Sequence, residues 1–285
     1  MGGRTATAGW TLRERADLAG GRVAWDCLGD GPPVVLVHGT PGWSYAWRTV
    51  APRLAERFTV HLLDLVGYGD SERRESQDMS VAAQGRALAE LLDRWGLERP
   101  ALVGHDVGAA IVLRAHLLEG RPASAVALLD AAVLLPWNTP ATLHMKEHLD
   151  AYRTMPAHVY EHVVAAHLAT AFHRPLAPGT MAGYLRPWQG EDGQAAYFRK
   201  IAQWRDDDLA VLEPLLGTID VPALVLWGAE DRWLAPELAG RLAASIPGAR
   251  TALIPDAGHF VMEDAPEVAA AELLRFLGCA GTAAA

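Results

Sequence analysis

Two glycines bracket an aspartate in the segment Gly104-x-Asp106-x-Gly108, the part of the chain with the clearest chemical content. An apolar run precedes this segment and a helical pattern follows it, which predicts a sharp turn from a strand into a helix. Glycines at these two positions let strand and helix approach closely, so the central side chain is exposed at a strained turn. A carboxylate there favours displacement at a saturated carbon, because the product is an alkyl ester, whereas acyl transfer would give a labile anhydride.

A histidine and an acid later in the chain could complete this chemistry. His259 follows the last predicted strand, and as a neutral imidazole it could take a proton from the water that cleaves an alkyl ester. Asp231 stands just beyond another strand end, where its carboxylate would fix the tautomer of the imidazole and stabilise the imidazolium. Asp130, which follows a third strand, is an alternative for that acid. The favoured order is Asp106, Asp231, His259, that is, nucleophile, acid, histidine.

Two backbone N–H groups are candidates for binding the oxygen that becomes negative when water attacks such an ester. One belongs to Val107, directly after Asp106, and the other to Thr40 in the segment HGTP at 38–41. Donors of this kind stabilise a tetrahedral intermediate when they point at the position that its oxygen takes. Each motif is weak alone, but together, at the ends of predicted strands, they indicate an active site.

The elements that must position these residues form an alternating pattern. Short apolar runs predict buried strands at 34–37, 60–63, 101–103, 125–129, 223–226 and 251–254, after an antiparallel hairpin of about 11–17 and 22–28. Helical patterns occupy 44–56, 81–95, 107–119, 236–245 and 265–277. This alternation is typical of an α/β fold with a mostly parallel central sheet and helices on both faces.

The alternation of strands and helices stops between residues 136 and 216. This segment is helical in pattern and rich in proline, and it holds four of the six tyrosines of the chain. An aromatic insertion of this length between two strands predicts a helical cap or lid over the site. The chain therefore divides into a first core part at 1–135, the lid at 136–216 and a second core part at 217–285.

Composition argues against several functional classes. A formal net charge of −9 over 285 residues disfavours surfaces for nucleic acid or anionic membranes, which need a basic patch. No apolar stretch approaches the roughly 18 residues of a membrane span, and we expect no secretory signal after Met1. Cys27 and Cys279 are expected to be thiols in a reducing compartment. These features predict a cytoplasmic protein that acts on a small molecule, with neither nucleic acid nor membrane as partner.

These motifs together resemble the α/β-hydrolase superfamily, and specifically its aspartate-nucleophile branch of epoxide hydrolases and haloalkane dehalogenases. The resemblance is carried by the segments HGTPGWSYAWR at 38–48, DLVGYGDS at 64–71, GHDVG at 104–108 and AGHFVMEDAPE at 257–267. It extends over about 30–277, apart from the lid. It implies the α/β-hydrolase fold, a covalent alkyl-enzyme and no cofactor.

The resemblance leaves two chemistries open for the leaving group. Dehalogenases usually bind the halide with a tryptophan directly after the nucleophile and often an asparagine in the first oxyanion motif, where this chain has Val107 and Thr40. Epoxide hydrolases protonate the opened ring with lid tyrosines; the candidates here are Tyr184 and Tyr197, although Phe198 stands at the family's usual tyrosine position. We therefore predict an epoxide hydrolase. A dehalogenase, or a non-catalytic or non-covalent binding protein on the same scaffold, is the alternative.

Other side chains of the lid are candidates for substrate contacts or for a metal site. The aromatic composition predicts an apolar substrate, with Trp137 and Trp188 as candidate contacts. Two matches to H-x-x-E-H, at 144–148 and 158–162, could each place two histidines on one helix face. Pro156 interrupts any continuous helix between them, and the pattern places no further carboxylate ligand. We therefore expect no metal.

Overall fold

Residues 9–283 are described by the computed structural model, and they contain one eight-stranded sheet. Its strands are β1 (Glu14–Leu18), β2 (Gly21–Leu28), β3 (Pro33–Val37), β4 (Thr59–Leu63), β5 (Ala101–His105), β6 (Ala125–Leu129), β7 (Ala223–Gly228) and β8 (Arg250–Ile254). Their order across the sheet is β1-β2-β4-β3-β5-β6-β7-β8. β2 pairs antiparallel with both β1 and β4, and the other neighbours are parallel. The predicted α/β class and mostly parallel sheet are confirmed.

Helices cover both faces of this sheet. The helices are α1 (Ala51–Leu54), α2 (Val81–Arg94), α3 (Val107–Leu117), α4 (Pro140–Glu147), α5 (Leu149–Arg153), α6 (Ala157–Ala169), α7 (Pro178–Leu185), α8 (Gly190–Gln203), α9 (Asp207–Ala210), α10 (Glu237–Ala244), α11 (Val261–Asp264) and α12 (Pro266–Ala283). Three short 3₁₀ helices lie at Ser44–Trp47, Arg186–Trp188 and Glu213–Thr218.

The central strands are buried on both sides, which explains their unbroken apolar sequences. In β3, Val35 and Val37 belong to one hydrophobic cluster, whereas Val34 and Leu36 belong to the other. Successive side chains of a strand point to opposite faces, so the two clusters lie on the two sides of the sheet. All four side chains are at most 1% exposed.

The segment between β6 and β7 folds into helices α4 to α9. Its prolines begin helices: Pro140 is the first residue of α4 and Pro178 the first of α7, positions where the missing N–H has no intrahelical partner. The hydroxyl of Thr139 also accepts a hydrogen bond from the N–H of Thr142 and so caps α4. These local signals explain why a proline-rich stretch is helical here.

One predicted helix is broken. The pattern at 44–56 predicts a continuous helix, but the structure has a 3₁₀ helix at Ser44–Trp47 and a separate short α1 at Ala51–Leu54. Pro52 lacks an N–H and its ring would clash with the carbonyl four residues earlier, so a helix can begin there but not run through it. Between residues 9 and 283, no helix is long and apolar enough to cross a membrane.

Candidate active site

Five polar residues follow the carboxyl ends of five strands of the parallel part of the sheet. Thr40 comes after β3, Asp106 after β5, Asp130 after β6, Asp231 after β7 and His259 after β8. In a parallel sheet these ends lie at one edge, so the loops bring together residues that are far apart in sequence. This edge is where the sequence motifs placed the site.

The turn that presents Asp106 has the strained geometry that its glycines predict. Asp106 has φ 52° and ψ −125°, a left-handed conformation that is uncommon for residues other than glycine. A Cβ atom on Gly104 would collide with the backbone of Gly108, and one on Gly108 would collide with the carbonyls of Val37 and His38. Both glycines are therefore required for strand and helix to pack this closely.

The two oxygens of the Asp106 carboxylate have different surroundings. Oδ2 accepts a hydrogen bond of 2.7 Å from the N–H of Thr40, and the backbone N–H of Val107 also donates to the carboxylate. Oδ1 lies 3.7 Å from Nε2 of His259. Burial raises the pKa of Asp106, opposed by the charge of His259 and by these two N–H groups. Oδ2 is thus held by the amide of Thr40, while Oδ1 faces the histidine.

His259 is held from behind by Asp231. Its Nδ1 donates a hydrogen bond of 2.9 Å to Oδ2 of Asp231, whose Oδ1 accepts from the N–H groups of Trp233 and Leu234 at 2.8 and 3.0 Å. Burial acts to lower the pKa of His259, but the Asp231 carboxylate, with help from Asp106, raises it from 6.5 to about 9. Among the described residues, Nε2 has no hydrogen-bond partner. That nitrogen can therefore exchange a proton with a molecule above Asp106.

Asp130, the alternative acid, lies in the same buried region but has a different partner. Its Oδ1 accepts a hydrogen bond of 2.7 Å from the N–H of Gly228, and its Oδ2 has no hydrogen-bond partner within residues 9–283. Burial and the charge of Asp231 raise the pKa of Asp130 well above its usual value. The structure therefore gives the hydrogen bond with His259 to Asp231, while Asp130 bonds to the amide of Gly228.

Two further histidines next to the site have backbone partners. His38 donates from Nδ1 to the carbonyl of Gly39 at 2.8 Å and accepts at Nε2 from the N–H of Leu65 at 3.0 Å. Burial lowers its pKa to about 4, so it is neutral. His105 bonds through Nε2 to the carbonyl of His259 at 2.8 Å. These contacts fix the loops that carry the site.

The four lid candidates separate into two pairs. Tyr197 and Trp137 line the cavity above Asp106, whereas neither Tyr184 nor Trp188 is among its described lining residues. Tyr184, a candidate for contact with the substrate, lies outside this lining: its hydroxyl donates to Oε2 of Glu263 at 2.8 Å and its ring is fully buried. Trp188 is likewise a packing residue rather than a substrate contact, since its indole N–H donates to the carbonyl of Pro41 at 2.6 Å.

The cavity itself is narrow, with a volume of about 30 Å³, which is room for two or three water molecules. Its walls come from the strand-end loops and from the insertion between β6 and β7; they are Thr40, Pro41, Asp106, Trp137, Asn138, Thr139, Thr142, His167, Tyr197, Lys200, Trp204, Trp233, Leu234 and His259. The tryptophans therefore fill space around the nucleophile rather than enclosing a large apolar pocket.

Indole groups could bind a halide if their N–H groups pointed into this cavity, but they are used elsewhere. The N–H of Trp137 donates to Asp206 at 3.0 Å, and that of Trp233 donates to Thr170 at 2.8 Å. The indole N–H groups of Trp137 and Trp233 in the described lining are therefore not directed at a halide.

Sequence reasoning missed Lys200, which lines the cavity from α8. Its side chain is completely buried, and its Nζ has no hydrogen-bond partner in the part of the chain that the structure describes. Lysine is normally exposed, so its type argued against an inward position. The available signal was its spacing: residues three apart share a helix face, so a cavity-facing Tyr197 implies a cavity-facing Lys200.

The histidine pairs of the lid do not form a metal site in the structure. His144 and His148 pack ring against ring, with centroids 4.5 Å apart, and Nδ1 of His162 bonds to the carbonyl of His158. Within residues 9–283, no group of three or more His, Cys, Asp or Glu side chains is arranged to hold a metal ion.

Comparisons with known proteins agree with this architecture. Residues 32–266 match the family described as alpha/beta hydrolase fold. Haloalkane dehalogenase 2 of Mycobacterium tuberculosis is 31% identical over 277 residues, covering 91% of this chain and 93% of the relative. An uncharacterized hydrolase of Bacillus subtilis, YugF, is 29% identical over 253 residues, which are 86% of this chain and 89% of that protein.

Solved structures show the same fold. An alpha/beta hydrolase fold protein from Burkholderia ambifaria superimposes with a TM-score of 0.91 at 38% identity, covering 94% of this chain and 99% of that one. The haloalkane dehalogenase DbeA from Bradyrhizobium elkani has a TM-score of 0.78 at 20% identity, covering 95% and 98%. At 20% identity, the similarity to DbeA supports only a shared fold.

Proposed function

The chain belongs to the α/β-hydrolase fold family, and we propose that within it the protein is a hydrolase that opens an epoxide to a vicinal diol. The reaction passes through an alkyl ester on Asp106. Asp106 is the nucleophile, and His259, supported by Asp231, activates the water that cleaves the ester. The substrate is a small molecule, and the helical insertion at 136–216 acts as the lid.

The observation that carries this proposal is the orientation of the Asp106 carboxylate. Oδ2 already accepts the Thr40 N–H at 2.7 Å, while Oδ1 faces the cavity near His259. Alkylation of Oδ1 would leave Oδ2 as the carbonyl oxygen of the ester, already bonded to the amide of Thr40, and the N–H of Val107 also acts on this carboxyl group. Amides in that position stabilise the negative oxygen that forms when water attacks the carbonyl carbon.

The first half-reaction is displacement at a ring carbon of the epoxide. Oδ1 of Asp106 forms a bond to that carbon, the ring C–O bond breaks, and the ring oxygen takes a proton from an acid in the cavity. The hydroxyl of Tyr197, on the lid side of the cavity, is one candidate for contact with that oxygen.

The second half-reaction is hydrolysis of the ester. The 3.7 Å between Nε2 of His259 and Oδ1 is too long for a direct hydrogen bond, and a water near these atoms could give its proton to Nε2. The charge of Asp106 contributes to the raised pKa of His259, and alkylation removes that charge. The pKa of His259 therefore falls once the intermediate has formed, so that more of the imidazole is neutral and able to take a proton from water.

Halide displacement by the same residues is the second candidate. It is favoured by the 31% identity to a protein named haloalkane dehalogenase 2. It is disfavoured by the indole N–H groups of Trp137 and Trp233, which donate to Asp206 and Thr170 instead of pointing at a leaving halide. The oxygen of an opening epoxide needs a proton donor, whereas a leaving halide needs two N–H groups. The cavity has proton donors in its lining, with Tyr197 among them.

Trapping the intermediate tests the proposal. In a His259→Gln variant the ester should form but not be cleaved, so incubation with propylene oxide should add the mass of one epoxide to the intact protein. Peptide mapping should place the addition on Asp106, and an Asp106→Asn, His259→Gln double variant is the matched control. Adduct formation with ethyl bromide but with no epoxide of a panel would replace the epoxide assignment by dehalogenation. No adduct from either class would contradict the covalent mechanism.

A further inference from the structure

The side chain of Lys200 is an unusual feature of the cavity. It is fully buried, and among the described residues its ammonium has no hydrogen-bond partner. Three aromatic rings surround it: Nζ lies 3.8 Å from the ring centroid of Tyr197, 4.7 Å from that of Trp204 and 5.3 Å from that of Trp188. These rings hold Nζ at the cavity wall while leaving its three N–H bonds without an acceptor.

A lysine in this position is unfavourable for folding by itself. Burial lowers the pKa of Lys200 well below its usual value, and the negative charge of Asp106 acts in the opposite direction. A methionine of similar length would fill the same space without an unsatisfied ammonium. Asp106 is the one carboxylate in the described cavity lining, so the charge that Lys200 faces is that of the nucleophile.

The reaction moves this charge. When Asp106 becomes an ester it is neutral, and the negative charge passes to the departing oxygen. The ammonium would then be buried without a counter-charge unless that oxygen lies next to it. A proton transfer from Nζ to the oxygen removes both charges at once and leaves a neutral amine, which is far easier to bury.

We propose that Lys200 is the acid of the ring-opening step: its Nζ gives a proton to the epoxide oxygen as Oδ1 of Asp106 attacks the ring carbon. The proposal rests on the alkylation of Asp106 by an epoxide. One O–C bond forms at Oδ1, the ring C–O bond breaks with its electron pair on oxygen, and an N–H bond is exchanged for an O–H bond. Tyr197, whose ring faces the ammonium, is a positioning residue in this step.

Hydrolysis restores the starting state. The oxygen of water adds to the carboxyl carbon, one of its protons passes through His259 to the product oxygen as it leaves, and the other remains on the Asp106 carboxyl group. Transfer of that proton to the neutral amine of Lys200 regenerates the carboxylate and the ammonium. Over the cycle the epoxide gains one water, and every proton is accounted for.

Neither of the other lid groups that face Lys200, His167 and Tyr197, supplies the same proton. His167, on α6, faces it, and burial with the charge of Lys200 lowers the pKa of His167 to about 4, so it is neutral. Burial raises the pKa of Tyr197 above its usual value, which makes it a weaker acid. Asp106 is the nucleophile and is ionised when it attacks.

The test measures the rate at which Asp106 is alkylated, in a His259→Gln background where the ester accumulates. Propylene oxide is mixed with this protein and with the Lys200→Met, His259→Gln variant, and intact mass is followed with time. We expect the Lys200→Met change to slow alkylation by about 10²–10⁴-fold. Arg199→Met is the matched control, since Arg199 is the neighbouring basic residue on α8 but is absent from the described lining of the cavity; its rate should stay within about twofold.

The pH dependence separates proton donation from a structural role. With Lys200 present, the alkylation rate should fall as pH rises through a pKa below 10.5, and in Lys200→Met that fall should be absent. Equal rates in both variants, or no fall with pH when Lys200 is intact, would overturn the assignment of Lys200 while leaving the adduct and the proposed function in place. An equal loss with ethyl bromide would also overturn it, because a halide needs charge and no proton. Absence of any epoxide adduct in the Lys200-containing protein would instead contradict the proposed function.

Discussion

Replacing Asp231 by asparagine separates the two half-reactions. Asparagine keeps the size of the side chain but removes the charge that faces Nδ1 of His259 across 2.9 Å. The rise in the pKa of His259 from 6.5 to about 9 corresponds to about 3 kcal/mol in favour of imidazolium, at about 1.4 kcal/mol for each pH unit. Most of this preference comes from Asp231, and the imidazole must take up a proton from water while the ester is hydrolysed.

We therefore expect Asp231→Asn to slow hydrolysis of the alkyl-enzyme by about 10²-fold, the rate effect of about 3 kcal/mol. Alkylation of Asp106 should change by only a few-fold, because no imidazolium is produced in that step. A single-turnover experiment with rapid quenching and intact-mass detection would show both rates as formation and decay of the adduct. The adduct should accumulate in the variant.

Asp130→Asn is the matched control for this experiment. The Asp130 carboxyl is buried in the same region, but its Oδ1 accepts the N–H of Gly228, and an amide oxygen in the variant can still accept that bond. We expect adduct formation and decay close to wild type. Slow decay in Asp130→Asn together with normal decay in Asp231→Asn would refute the assignment of the acid.

Three further predictions concern the lid and stability. Tyr197→Phe should slow alkylation by only a few-fold, because phenylalanine keeps the ring that faces Lys200. Tyr184→Phe should leave alkylation unchanged and lower the free energy of unfolding by about 1 kcal/mol, through loss of the bond to Glu263; adduct kinetics and urea unfolding check the two outcomes. Lys200→Met should raise the melting temperature at neutral pH, because burial lowers the pKa of Lys200 and its protonated form therefore disfavours folding. The gain should shrink as pH approaches 10.5, where Lys200 of the unfolded chain also loses its proton. His259, whose folded pKa is raised to about 9, stabilises the fold fully below about pH 6.5. That contribution is lost as pH rises to 9, so the stability of wild type relative to His259→Gln should fall across this window by about 3 kcal/mol.

Each of these three has a result that would count against it. Loss of alkylation in the Tyr184→Phe variant would mean that this hydroxyl contacts the substrate. A melting temperature lowered by Lys200→Met at neutral pH would mean that the ammonium has a stabilising partner. A constant difference in stability between wild type and His259→Gln from pH 6.5 to 9 would contradict the raised pKa of His259.

Much of the core could be predicted from the sequence because its signals are local. Short apolar runs identified the parallel strands, since a strand covered by helices on both sides must be apolar on both faces. The spacing of Gly104, Asp106 and Gly108 indicated the strained turn, because close packing of a strand on a helix excludes a Cβ at both glycines. Because each of Asp106, Asp231 and His259 follows a predicted strand, the sequence also indicated that these three residues lie at the same edge of the sheet.

Local patterns were less informative for the broken helix at 44–56. The apolar spacing there is continuous, and it predicts one helix across the whole range. Pro52 divides it in the structure, and the sequence contained that signal, since proline within a helical pattern ends or restarts the helix.

The tertiary structure decided which side chains meet in the cavity. Asp231 and Asp130 both follow strand ends, and only the path of the loop after β7 gives the hydrogen bond with His259 to Asp231. The hydroxyl of Tyr184 is taken by Glu263, which lies 79 positions away in the chain. No periodicity within one helix reports on such a partner, so two lid tyrosines that are equivalent in sequence have different surroundings.

Lys200 shows most clearly the difference between what the sequence predicts and what the tertiary structure decides. Its helical spacing from Tyr197 was present in the sequence, but residue type alone places lysine in water, because a charged group loses hydration when it is buried. The packing of α8 within the helical insertion overrides that preference and brings Nζ to the cavity that Asp106 and His259 also line. Sequence alone determined the fold class, the strained turn and the residues at the strand ends, since sterics and hydrophobicity act between near neighbours. The composition of the cavity was determined by contacts between distant segments, which only the folded chain brings together.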